Sequence, residues 1–167
     1  MKKGQAAMEF LMTYGWAIIV VLVAIGALAY FGVLSPNKLL PERTTFAAPL
    51  PNLDVARINA ASNSVEIAFK NNKGVAITLP LTGNLTTDPG TTCANAVVTA
   101  VYNNAAVVPN TTPIENGGTF LVTWDCDDLT PAPAIGSKFS ADMSFDWTNV
   151  ETGQTFGHSG TVNGKYS

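Results

Sequence analysis

The sequence predicts an α+β chain: one long apolar helix at the N-terminus, followed by an all-β domain. Two observations carry that prediction. From Phe10 to Leu34 the chain runs 25 residues without a charge, more than the about 20 apolar residues that a bilayer-spanning helix needs. From Leu53 onward the apolar residues recur at every second position, the period of a strand with one dry face. A third observation bounds the function. Charged residues are 13% of the 167-residue chain, against about 25% in ordinary soluble domains, and a hydrophobic share of 47% is too high for a disordered chain. Nine Lys and Arg stand against twelve Asp and Glu, for a net charge of −3. With no basic excess to neutralise phosphates, no nucleic-acid partner is expected. One His and two Cys are too few for a His/Cys metal site, so no metal and no cofactor is expected.

The helix comes first. Ile18 to Ile25 is apolar on every face, the pattern of a helix buried all round. Pro36 sets its end, because the residue before a proline is steered out of the helical region. A helix from Gln5 to Leu34 has 30 residues and a length of about 45 Å, so it can cross a hydrocarbon core of about 30 Å and still project. Lys2 and Lys3 favour a cytoplasmic N-terminus, which places everything after Leu34 outside. The sequence after the apolar run, VLSPNK, is a poor signal-peptide cleavage site. Tyr14 and Trp16 stand where aromatics anchor at an interface. Gly15, Gly26 and Gly32 form no GxxxG pair, so a simple two-helix dimer face is not indicated. Glu9 is the anomaly, a carboxylate one turn inside an apolar helix, which a plain membrane anchor does not explain.

KKGQAAMEFLMTYGWAIIVVLVAIGAL, residues 2–28, closely resembles the N-terminus of archaeal pilins of the type IV filament superfamily, specifically those with a class III signal peptide. The leader charge, the Gly–Gln junction, the spacing to the acid and the apolar run all agree. The resemblance implies that residues 1–4 are a leader cut between Gly4 and Gln5 by a prepilin signal peptidase, an aspartic membrane enzyme. Gln5 is then the first mature residue and Glu9 the fifth, where the family keeps its acid. It further implies a precursor held in the cytoplasmic membrane and identical subunits bundled by the helix of residues 5–34. An ATP-driven assembly machine would build them into a cell-surface adhesion filament. In the family the partner of the acid is the N-terminal amine of a neighbour. An N-terminal Gln can cyclise and lose that charge, leaving Glu9 protonated or bonded to Thr13 one turn along. The alternative places Glu9 at the cytoplasmic headgroup level, facing water.

Residues 35–52 contain four prolines, Pro36, Pro41, Pro49 and Pro51, and read as a stiff connector. The β domain then occupies 53–167. LDVARIN (53–59) is its first strand. In SVEIAFK, Val65, Ile67 and Phe69 share a face, and in VAITL so do Val75, Ile77 and Leu79. NNKG at 71–74 is turn chemistry, so these two segments predict a hairpin with a four-residue loop. PLTGNLTTDPGTTCAN (80–95) reads as a long loop. VVTAVY (97–102) and TFLVTW (119–124) are further strands. In SKFSADMSFDW the residues Phe139, Ala141, Met143, Phe145 and Trp147 alternate with polar ones, giving one dry and one wet face. ETGQ (151–154) turns that strand back into TFGHSGTV. About seven strands with no helix-period segment among them predict a two-layer antiparallel sandwich, immunoglobulin-like in architecture.

Cys93 and Cys126 enclose 32 residues. In an extracytoplasmic domain they are expected to form a disulfide, the alternative being two buried thiols. His158 lies in an alternating strand segment and reads as a partly exposed strand residue rather than the base of a dyad. Asp125, Asp127 and Asp128 cluster without the spacing of a calcium-binding loop and read as a solvated acidic loop. Asp142 and Asp146 share the wet face of one strand and read as surface groups. No phosphate-cradling glycine loop, nucleophile elbow or metalloprotease helix is present, so no catalytic residues and no enzyme activity are expected. NLT at Asn84 and NTT at Asn110 are glycan acceptor patterns on expected loops. The two functions that compete are a structural filament subunit and a membrane-anchored surface protein or minor pilin whose sandwich binds a ligand.

Overall fold

The computed structural model describes residues 2–30, 41–87, 93, 96–126 and 134–167. The chain divides into two compact units, one ending at Leu40 and the other beginning at Pro41.

In the first unit the helical sequence forms one element, α1, Lys2–Tyr30, with no proline to break it. Within it, Met8–Tyr30 is 23 residues long and apolar enough to cross a membrane, and none of that stretch is buried. A signal sequence near the N-terminus can also be this long and apolar, so length and composition alone do not separate the two.

In the second unit, period-two sequence folds into two five-stranded antiparallel sheets. The first contains β1 (Arg43–Phe46), β4 (Ile77–Thr78), β5 (Gly83–Thr87), β9 (Lys138–Asn149) and β10 (Thr155–Lys165). Its order is β1-β10-β9-β4, with β5 also paired to β9. The second contains β2 (Arg57–Asn59), β3 (Ser64–Lys70), β6 (Val97–Tyr102), β7 (Ala105–Ala106) and β8 (Thr119–Asp125), in the order β2-β3-β8-β6-β7. The dry faces meet in one core. Phe69 and Trp124 of the second sheet lie 5.0 and 6.0 Å, ring to ring, from Phe145 of the first. The Trp124 indole N–H crosses between the sheets to donate to the Ser144 carbonyl at 3.1 Å, which satisfies the one polar group of an otherwise fully buried ring.

Several strands form where the sequence places them. β3, β6 and β8 match their alternating segments, and β9 buries Phe139, Ala141, Met143, Phe145 and Trp147 as expected. β9 turns through residues 151–154 into β10, their register running from Thr155 opposite Thr148 to Lys165 opposite Lys138.

Other expectations are corrected. β3 and β4 do not form a hairpin: β3 pairs with β2 and β8, whereas β4 pairs with β9 in the other sheet. The reason is Asn71, which is fully buried. Its amide donates to the carbonyls of Val75 and Ile114 at 2.9 and 3.0 Å and its side-chain oxygen accepts from the Lys73 N–H at 3.0 Å. The segment is thereby tied to the 114–118 loop and crosses between sheets. The segment expected as a connector to residue 52 joins the β unit well before that. β1 pairs with β10, and Leu50 is fully buried. Asn52 secures this stretch, accepting from the Phe46 N–H at 3.0 Å and donating to the Thr44 carbonyl at 3.2 Å. Gly160 permits the approach, since a side chain there would collide with the Thr45 carbonyl and the Phe46 ring. The 80–95 segment contains β5, and within LDVARIN only Arg57–Asn59 is strand.

Candidate functional site

α1 carries the residues that the resemblance marks. Gly4 and Gln5 lie within its helical backbone. Glu9 is exposed one turn before Thr13, and among the described residues no hydrogen bond joins the two. The large apolar side chains described beyond Glu9 are exposed on all sides, from 46% at Leu28 to 87% at Tyr30. Leaving so much apolar surface in water is unfavourable by about 25 cal/mol per Å², so the helix requires lipid or other protein around it. Phe10 and Tyr14 stack one turn apart at 4.8 Å. Tyr14, Ala17, Ile18, Val21 and Leu22 line a shallow groove along one flank whose surface is wholly apolar.

In the β unit the polar groups converge at a break in the first sheet. β4 reaches Thr148 of β9 and β5 begins opposite Phe145. Between them the chain of residues 79–82 leaves the ladder, retaining one bond from the Asp146 N–H to the Thr82 carbonyl at 3.0 Å. Leu81 turns there with φ +60°, a left-handed conformation uncommon for a residue with a side chain. The break opens a cleft of about 440 Å³ lined by Leu81, Thr82, Gly83, Asn84, Ala96, Ser144 and Asp146. Asp146 accepts from the Thr82 hydroxyl at 2.7 Å, and the Ser144 hydroxyl accepts from the Asn84 backbone N–H at 3.3 Å. A side chain at Gly83 would collide with the Ser144 carbonyl, so β5 closes tightly on β9 only because residue 83 has none.

The remaining sequence-marked residues are dispersed. Cys93 and Cys126 form a disulfide with Cα atoms 5.6 Å apart, which leaves neither sulfur as a free nucleophile. Asn84 lies on β5 rather than on a loop and is exposed; Asn110 is exposed in a turn with φ +56°. Asp127 and Asp128 lie outside the described residues. Asp125 and Asn63 each have a buried side-chain oxygen without a hydrogen-bond partner among the described residues. No group of three His, Cys, Asp or Glu side chains that could hold a metal occurs among the described residues. Asp142 is exposed, opposite Thr161 of β10 and Thr86 of β5.

His158 corrects the sequence reading: it is buried, not partly exposed. Its ring lies 5.3 Å from Phe145 and 5.5 Å from Phe46. Nε2 lies 2.9 Å from the Leu50 carbonyl, and since a carbonyl can only accept, Nε2 carries the proton. Burial holds its pKa below 6.5, partly opposed by the Leu50 hydrogen bond. Sequence reasoning missed the cleft as well. Its signal was the polar PLTGN segment facing the wet side of the β9 sequence, but only the pairing of β5 with β9 joins them.

No family model, no curated protein and no solved structure matches the chain.

Proposed function

We propose that this chain is the structural subunit of a type IV-like adhesion pilus of the archaeal kind, polymerising through α1 into a cell-surface filament. The observation that carries the reading is the 23-residue apolar stretch Met8–Tyr30, unburied along its length, with Glu9 near its start and the Gly4–Gln5 junction before it. Before assembly, lipid covers this surface and the Lys2–Lys3 pair keeps the N-terminus cytoplasmic. A prepilin signal peptidase cuts after Gly4 and removes both lysines. An ATP-driven machine then extracts the subunit, and the helices of identical copies replace lipid as the cover. Glu9 passes into that helical bundle, where an unpaired carboxylate is costly. Its partner is the N-terminal group of a neighbour or, where Gln5 has cyclised, Thr13 or a bound proton. In this reading the β unit is an immunoglobulin-like sandwich forming the outer skin of the filament. The two antiparallel sheets with a shared aromatic core support it. With few surface charges, a glycan at Asn110, exposed in a turn, would add solubility; it is the more accessible of the two acceptors, Asn84 lying within β5.

The test combines imaging and mass spectrometry. Electron microscopy of surface material is expected to show fibres built mainly of this chain, and the mature N-terminus is expected at Gln5. Gly4→Val is expected to block cleavage and leave the protein in the membrane fraction; normal fibres from that variant would refute the processing step. A chain that starts at Met1 and forms no fibre would favour the membrane-anchored alternative.

A further inference from the structure

We propose that the cleft beside Asp146 binds a neutral saccharide. The inference does not depend on polymerisation, because every group it uses lies within the β unit. The volume of about 440 Å³ falls within the range of about 300–1,000 Å³ usual for small-molecule sites.

The hydrogen-bonding groups select the ligand class. Asp146 has one oxygen engaged by the Thr82 hydroxyl, and its second oxygen has no hydrogen-bond partner among the described residues. The Asn84 side chain is exposed, so its amide offers two donors and an acceptor. Ser144 accepts through its hydroxyl and keeps its own proton to donate. Donors and acceptors are thus interspersed around the rim, the arrangement suited to sugar hydroxyls, which both give and take hydrogen bonds. Leu81 and Ala96 supply the apolar part of the wall for a C–H face. The lining contains one carboxylate and no Lys, Arg or His, so a phosphate or acidic sugar is repelled. A calcium ion, which takes about six to eight oxygens, finds a single carboxylate.

The site is also rigid. Asn84 and Ser144 are register partners on β5 and β9, and the Ser144 carbonyl is held from the core side by the Trp124 indole. Groups carried on paired strands hold their geometry better than groups on loops. Leu81 at φ +60° is the conformation that lets the chain leave the β9 ladder and open the space. Such strain persists only where surrounding structure enforces it.

The experiment applies the full chain, in detergent micelles, to immobilised neutral trisaccharides: maltotriose, cellotriose and mannotriose. At least one is expected to be retained. Asp146→Ala is expected to weaken that binding by about tenfold, the usual consequence of losing a hydrogen bond to a charged group. Asp142→Ala, on the same face of β9 but outside the cleft, is expected to leave it unchanged. Should Asp146→Ala not fold, Thr82→Val, which removes the hydroxyl that orients Asp146, is expected to weaken binding in the same direction. Retention of none of the three sugars, or equal loss in the Asp146 and Asp142 variants, overturns the proposal. So does a glycan located on Asn84 by peptide mass spectrometry, which would fill the mouth of the cleft, or a calcium titration that moves the Asp146 resonance while the sugars do not.

Discussion

At position 158 an imidazole faces inward from β10, and three phenylalanines, Phe46, Phe69 and Phe145, surround it. Desolvation disfavours its charged form, and its pKa lies below the ordinary 6.5. The unfolded chain therefore binds a proton that the folded chain does not, between the folded pKa and 6.5. Stability is highest above pH 6.5 and falls as the pH drops from 6.5 toward the folded pKa. The slope is at most about 1.4 kcal/mol per pH unit, the limit for one linked proton. Urea unfolding between pH 8 and pH 5 is expected to show this loss, and His158→Phe is expected to flatten it. An unchanged slope in the variant would assign the proton to another group.

At the scale of elements, β6 lies beside β8 along all of its own length, with Val97 opposite Asp125 and Tyr102 opposite Phe120. The disulfide fastens the chain just before β6 to the residue just after β8, across a sequence separation of 33. Closing a loop of that size removes freedom from the unfolded chain, a stabilisation of about 3–4 kcal/mol in the chain-entropy account. The double variant Cys93→Ser/Cys126→Ser is expected to lose about that much in urea unfolding, with β6 and β8 still paired. A fall far larger than this, with loss of the native circular dichroism, would show that the covalent tie is required to form the second sheet at all. β1 illustrates the opposite case: four residues with weak strand character are held by Asn52 and by the absence of a side chain at Gly160.

For the whole molecule, the two units differ in what they need from their surroundings. The β unit buries its own aromatic core, whereas the Met8–Tyr30 stretch buries nothing within the chain. A chain comprising residues 41–167 is therefore expected to be soluble and monomeric by sedimentation velocity, while the full chain requires detergent or forms fibres. Aggregation of residues 41–167 without the helix would show that the β unit also needs a cover.

The apolar helix, the dry face of β9, the β9–β10 hairpin and the pairing of the two cysteines were all legible in the sequence. Each is local or nearly so: an unbroken apolar run, a period of two, a turn of four residues, and two cysteines with no other thiol available. What only the tertiary structure decided is which strand lies beside which. The alternation in 75–79 specifies an inward face but not a neighbour, so the crossing of β4 to the other sheet depended on the buried Asn71. The alternation around His158 likewise leaves open which face is dry, and its burial followed from β1 and Leu50 closing over it. The cleft at Asp146 has the same origin, since residues 82–84 and 144–146 are far apart in sequence and are brought together by hydrogen bonding between backbones, which carries almost no trace in side-chain identity.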